Sequence, residues 1–212
     1  MKRIVNALVF SAVLVAGQSA CGQQREESLI KENFGNCKAA ILDGKGDEAI
    51  KLLDSRTVKY YSQVLDLVKT ADAAKIETLS VLDRLMVFSV RHQTSKEDLL
   101  KFDGKSLLAD VISKGMVGKI SIANSSIGDV AIDNDTAKGQ LLVNGQKSPA
   151  ALHFYKEEDQ WKIDLTSLFP FLTVVLQNAI TTSGQGQNDF LIFLLGFMTG
   201  KKPESGILNP VM

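Results

Sequence analysis

The side chains whose type and spacing could do chemistry are two arginines and a strand-borne histidine. Arg84 and Arg91 lie seven residues apart in the segment Val81 to His92, where Val81, Leu82, Leu85, Met86, Val87, Phe88 and Val90 make a helix apolar nearly all round. Seven residues is close to two turns, so the guanidiniums share a face about 10 Å apart along the axis. A charge buried on such a helix is costly unless paired, so each guanidinium needs a partner. One reading is an anion-binding face in a cavity. The other is a pair of salt bridges to acids such as Asp66, Asp110 or Asp164.

His153 and Tyr155 share one face of a strand, opposite in phase to Leu152 and Phe154, and Asp164 has the matching polar phase on the next strand. On a concave face, His153 would be a general base oriented by Asp164, since histidine titrates near neutral pH. On the outer face of a half-exposed sheet, the same residues are solvated surface. His92, at a helix end, suits interaction with the terminal carbonyls.

No cofactor or metal is expected. His92 and His153 are far apart, and a spare cysteine adds no ligand spacing. Asp133-Asn134-Asp135 lacks the glycine and glutamate of a calcium loop and reads as a turn. Gly184-Gln185-Gly186 has Asp189 where a phosphate-binding fingerprint needs its third glycine. Nucleophile-elbow, paired-carboxylate and nucleotide-loop motifs are also missing, which weakens an enzyme reading, although spatially assembled sites leave no sequence trace.

These residues must be positioned by helices first and strands second. Apolar spacings of three and four predict helices over Ser28 to Leu42 and Asp47 to Leu53, and from Val58 through Ala71. Ser80 with Asp83 caps the Val81 to His92 helix, Thr94 to Glu97 opens another through Phe102, and a further helix runs from Ser106 to Lys114. After Gly118 the period falls to two, predicting strands around Ile120–Ile122, Val130–Ile132, Leu141–Val143, Pro149–Lys156 and Trp161–Leu165. Asn144-Gly145 is a hairpin turn. Two apolar helices, Leu168 to Ile180 and Phe190 to Met198, close the chain; neither is expected to be long enough to span a bilayer. They either pack on the sheet or lie on a membrane surface. The expected fold is α+β: N-terminal helices on a curved antiparallel sheet of about four strands, with two apolar C-terminal helices.

Lys2 and Arg3 followed by the apolar run Ile4 to Gly17 have the form of a secretory signal. The stretch Gln18-Ser19-Ala20-Cys21-Gly22 resembles the lipobox of bacterial lipoproteins, with Gln18 where that pattern prefers leucine. The resemblance implies a diacylglyceryl (and palmitate) modification at Cys21 and attachment to the cell envelope. In a Gram-negative cell, Gly22 rather than aspartate points to the outer membrane, facing the periplasm. Residues 1–20 are then a signal peptide, 21–27 a tether too polar to pack, 28–200 one domain and 201–212 a C-terminal tail. Removing the leader takes away two basic residues and no acid from a chain of net charge zero, so nothing favours nucleic acid. Acylation leaves Cys37 as a buried apolar side chain; without it, a Cys21–Cys37 disulfide becomes an option.

The element order, with the hairpin Phe154-Tyr155-Lys156 to Trp161-Lys162-Ile163-Asp164, looks like the nuclear transport factor 2-like (SnoaL-like, cystatin-like) superfamily over about Ser28 to Ile180. The helical insertion Thr70 to Lys114 departs from it. That resemblance implies a cone-shaped pocket but selects no activity. The leading expectation is a non-catalytic envelope lipoprotein that binds a small hydrophobic or anionic ligand, through Arg84, Arg91 and Tyr155, or an envelope protein partner. The alternative is a SnoaL-like pocket enzyme using His153 and Asp164 for acid–base chemistry. A third reading makes Phe190, Phe193 and Phe197 an exposed patch for another protein.

Overall fold

Helix α1, Val13–Leu42, runs through the segment expected to be a tether. The computed structural model describes residues 13–116 and 122–212, with side chains from residue 22 onward. Most of the leader, residues 1–12, lies outside the described residues. Residues 22–27 are helical because Gln23, Gln24, Arg25, Glu26 and Glu27 are all good helix formers, and Glu27 pairs with Lys31 one turn on at 2.6 Å. Composition argued against packing, yet Glu26 accepts a hydrogen bond from Trp161 Nε1 at 2.6 Å and one from Lys156 at 3.2 Å.

The helices that follow are set by their caps. Gly44 takes φ 70° and ends α1. A short α2, Gly46–Ala49, and a 3-10 turn, Ile50–Leu52, lead to α3, Ser55–Thr70, capped by buried Asp54 accepting from Thr57 N. Asp72 caps α4, Ala73–Glu77, and Ser80 caps α5, Val81–Gln93, through Asp83 N. The next helix, α6, spans Lys96–Lys101 and is capped by Ser95 rather than Thr94. Thr94 is buried and spends its hydroxyl on Asp110 at 2.9 Å. Asp103 caps α7, Gly104–Ser113, in a reciprocal box with Ser106, so this helix starts two residues before the expected position.

Four strands follow: β1 Ser125–Asp133, β2 Thr136–Val143, β3 Gln146–Glu157 and β4 Gln160–Asp164. They pair antiparallel in the order β1-β2-β3-β4. Asn144 and Gly145 both take positive φ, 52° and 76°, as the hairpin motif requires. Of the strand expected around Ile120, residues 119–121 lie outside the described residues, and Ile122 is helical. The chain is thus α+β, with helices and an open four-stranded antiparallel sheet among the described residues. One face of β3 buries Ala150, Leu152 and Phe154, the last two in a core shared with Ile127, Ile163 and the α1 residues Ile30, Phe34, Cys37 and Ile41.

A 3-10 turn, Leu165–Leu168, leads into α8, Phe169–Ser183; Gly184 at φ 67° ends it, and α9 spans Gln187–Thr199. Contrary to expectation, the stretch Leu165–Ser183 reaches 19 residues at mean hydropathy 1.3, long and apolar enough to cross a membrane by length and composition. The added length over Leu168 to Ile180 comes at both ends, from Leu165, Thr166 and Ser167 in the lead-in 3-10 turn and from Thr181, Thr182 and Ser183 in α8. The final residues fold back: Ile207 is buried in a 3-10 turn, Ser205–Leu208, and Met212 N donates to Lys69 O at 3.1 Å.

Two glycines test this packing in opposite senses. A Cβ on Gly46 would sit 2.1 Å from the Ala109 carbonyl oxygen, whereas one on Gly35, exposed in mid-α1, would meet nothing within 4 Å. Gly46→Ala is expected to lose about 1–3 kcal/mol in urea unfolding by forcing α2 off α7. Gly35→Ala is expected to gain about 0.5–1 kcal/mol from helix propensity alone.

Candidate functional site

The two arginines of α5 are tied into the protein. Arg84 is 4 % exposed. It donates to Asn188 Oδ1 at 2.9 Å, to the backbone oxygens of Glu77 and Leu79 at 3.0 and 3.3 Å, and to the Glu77 carboxylate at 3.5 Å. Asn188 in turn donates to Glu77, closing a three-residue cluster of α4, α5 and α9. The acid partner is therefore Glu77, not Asp66, Asp110 or Asp164; only Arg84 Nε lacks a partner. Arg91 binds no acid. It donates to the backbone oxygens of Leu67, Val68 and Ala71, at the end of α3, and to Ile207 O in the C-terminal turn, all within 2.6 to 3.2 Å. Val68 lies in the last turn of α3 and Ala71 just beyond it, so the guanidinium adds donors at a helix end where backbone donors run out, while Leu67 O also accepts from Ala71 N at 2.9 Å. Burial pulls the Arg91 pKa downward from the ordinary arginine value.

His153 and Asp164 are directly opposed in the β3–β4 register, as the strand phases imply. The carboxylate does not orient the imidazole. Asp164 is buried and accepts from Thr166 N at 2.9 Å, capping the Leu165–Leu168 turn. The backbone N of His153 donates to Ser167 Oγ at 3.1 Å. Tyr155, on the same half-exposed face, carries the Arg56 guanidinium 3.5 Å above its ring.

Two clefts lie elsewhere, around the C-terminal ends of α5 and α9. One, of about 500 Å³, is lined by His92, Lys114, Leu195, Met198 and Lys201 among others. The second, of about 580 Å³, adjoins Arg91, Lys96, Lys201, Lys202 and Glu204. Neither is lined by His153, Tyr155 or Asp164. His92 Nε2 lies 3.0 Å from Thr199 Oγ1, so it meets a hydroxyl at the end of α9 rather than its own terminal carbonyls. Among the described residues no group of three histidine, cysteine or acidic side chains could hold a metal ion.

The cysteines are separated by the helix that carries both. Cys21 lies in α1, its side chain outside the described residues, and Cys37 is buried sixteen residues on. That spacing is about 24 Å, far beyond disulfide reach, so the bridge left open by the sequence is excluded within one chain. Burial pushes the Cys37 thiol up to about 12.

The most unusual surface is apolar. On α9, Phe193 and Phe197 are 61 % and 79 % exposed, and Met198 is exposed beside them; Phe190 is half-buried. On α8, Phe171, Leu172, Val174 and Val175 are also exposed. The rings were legible as a patch, but the α8 residues were not, because their pattern has no charged face to mark which side meets solvent. Only Ile180, Leu191 and Leu195 of this hairpin are buried against the domain. No known protein family, curated protein or solved structure matches this chain.

Arg91→Ala is expected to lower unfolding stability by roughly 3 kcal/mol, because a cluster of buried carbonyls loses its donor. Phosphate should leave the wild-type urea midpoint unchanged, whereas an anion-binding face would raise it. Glu26 gives a pH test. Its hydrogen bond from Trp161, helped by Lys156, holds the carboxyl below the ordinary glutamate value. A depressed folded pKa stabilises above the unfolded value of about 4.3, and the contribution is lost as pH falls through the folded pKa. Wild type should therefore exceed Glu26→Gln in stability near neutral pH, and the two should converge in acid, read by Trp161 fluorescence during urea unfolding.

Proposed function

We propose that this chain is a non-catalytic protein of the bacterial cell envelope, exported by residues 1–20, held by lipid on Cys21, and working by binding through the exposed face of α8 and α9. The observation that carries the binding reading is the outward display of Phe193, Phe197, Val174 and Val175 on a folded domain. Soluble monomers rarely leave contiguous apolar surface of this kind unless something binds it. The leader pattern and the small residues before Cys21 support export and acylation. The frame is read as a departure from the nuclear transport factor 2-like arrangement, supported by helices preceding a four-strand antiparallel meander. The non-catalytic reading is supported by the hydrogen bonds that hold the Arg84 and Arg91 guanidiniums within the fold and by an Asp164 carboxylate bonded to Thr166.

Mass spectrometry of the protein purified from a bacterial membrane fraction tests the anchor. The expected mature chain begins at Cys21 and carries the added mass of its acyl chains, and Cys21→Ser lacks that mass. A mature chain that starts elsewhere, or an unmodified Cys21, would overturn the lipoprotein reading.

A further inference from the structure

We infer that the occupant of the α8–α9 face is the surface of a lipid bilayer with anionic headgroups, the apolar hairpin entering one leaflet while Lys201 and Lys202 meet the phosphates. This rests on the reading that α8–α9 is the working surface, but not on lipid at Cys21.

The argument starts from charge. In a chain with 23 % charged residues, Asp189 is the single charged residue from Leu165 to Gly200. Asp189 sits in the first turn of α9, where the helix dipole favours an anion. Apart from Asp189, the exposed polar side chains of the hairpin, such as Gln177, Asn178, Thr181, Thr182 and Gln185, are neutral. A protein partner excludes charge from the core of its contact and leaves the rim free to carry it. Here Asp189, in the first turn of α9, is the one charge on either helix, and charge is missing from every other position around both. A bilayer imposes that pattern, because charge is costly at any point that reaches hydrocarbon depth.

Charge returns where α9 ends. Lys201 and Lys202 are exposed immediately after it and share a cleft with Lys96, in which Glu204 is the one acid. Basic residues flanking an apolar insertion are attracted to anionic lipid within a Debye length of the surface.

Insertion into one leaflet fits the geometry better than crossing. Leu165–Ser183 has the length to span. The return helix α9, at 13 residues, is only about 20 Å long against a hydrocarbon core of about 30 Å. Both helices also keep one side on the domain, through Ile180, Leu191 and Leu195. The chain then re-enters the fold, since Arg91 holds Ile207 O at 3.0 Å. The hairpin therefore lies against the domain and presents its outer face.

The test uses full-length Cys21→Ser, which cannot be acylated, and vesicles of phosphatidylcholine with roughly one lipid in three replaced by phosphatidylglycerol. Adding Phe193→Ser and Phe197→Ser is expected to weaken vesicle co-sedimentation by about tenfold or more while leaving Tm unchanged. Residues 1–20 are present in both proteins, so the difference reports the hairpin. Should the double variant fold poorly, Phe197→Trp supplies the readout: its emission shifts to the blue on adding vesicles. Lys201→Gln with Lys202→Gln should weaken binding to anionic vesicles and flatten its salt dependence, with no effect on neutral ones. Equal sedimentation of parent and phenylalanine variant, or an unmoved Phe197→Trp emission, would overturn the inference. Concentration-dependent dimerisation that those serines abolish, without vesicle binding, would also overturn it, while leaving the face as a binding surface for a second copy. None of these outcomes bears on Cys21, whose modification is read separately by mass.

Discussion

Placing one buried and one half-buried guanidinium on a single helix obliges the rest of the chain to bring oxygen atoms to them, and much of the architecture follows from that obligation. Arg91 collects the last carbonyls of α3 and one from the C-terminal turn, so α5, α3 and the end of the chain are held at one point. Arg84 collects Glu77 and Asn188, fixing the short α4 and the start of α9 to the same helix one and a half to two turns away. Hydrogen bonds to a charged donor are stronger than neutral ones, and leaving such a donor dry and unpaired would be worse than never burying it. The apolar hairpin is thus positioned by polar contacts at its central turn, through Asn188 at the start of α9, and beyond its end, through the Ile207 turn.

Once the hairpin is held there, it has nothing large to cover. Ile30, Phe34, Cys37 and Ile41 of α1 share one core with Ile127, Leu152, Phe154 and Ile163 of the sheet. Three polar contacts, Asn33 Nδ2 to Trp161 O, Trp161 Nε1 to Glu26 and Lys38 to Ser125 O, hold α1 across the edges β1 and β4. The opposite face of β3 carries His153 and Tyr155, half-exposed, with Arg56 rather than a helix stacked over Tyr155. The helical layer of α3, α5 and α7 fills its own interior with Val64, Val68, Phe88, Leu107 and Leu108. What remains for α8 and α9 is the flank of α5, and a narrow flank buries only one stripe of each helix. Beyond that stripe and the half-buried Leu176, Phe190 and Ile192, side chains such as Val174, Val175, Phe193 and Phe197 face outward because of this geometry, not because of a packing failure.

The sequence made plain whatever periodicity or turn chemistry encodes. Helix α5 was legible from apolar residues around its circumference with Ser80 before it, and the β2–β3 hairpin from Asn144-Gly145, whose φ values only such residues adopt cheaply. Reading failed where a local signal competed with a distant partner. Thr94 had capping-box spacing, but a buried hydroxyl bond to Asp110 is available to it, so Ser95 takes the cap. Residues 22–27 looked unable to pack because composition counts apolar groups and does not see the Trp161 Nε1–H waiting for Glu26. The arginine pair was correctly read as needing partners, yet Glu77 and a set of main-chain oxygens were beyond reach of any spacing argument. The α8–α9 surface was half legible. Three phenylalanines stood out, but two helices without charged faces carry no mark of which side is inside.

The helical state of residues 22–27 changes what an anchor at Cys21 would do. A flexible tether lets a domain swing, and its second contact with the membrane is then favoured only through effective concentration. A helix instead fixes Cys21 about 8 Å beyond Glu26 along the axis, and Glu26 is bonded to Trp161 and Lys156 at the turn between β3 and β4. The direction in which α1 leaves the domain is therefore set by the fold. The several acyl chains of a diacylglyceryl cysteine would hold a protein stably, where a single chain holds it only marginally. With a rigid stalk, a second contact adds strength only if the two attachment points can meet one plane without unwinding α1. With an anchor at Cys21, that requirement would tie any membrane contact of the apolar hairpin to the Glu26–Trp161 contact, although the two lie on different elements of the fold.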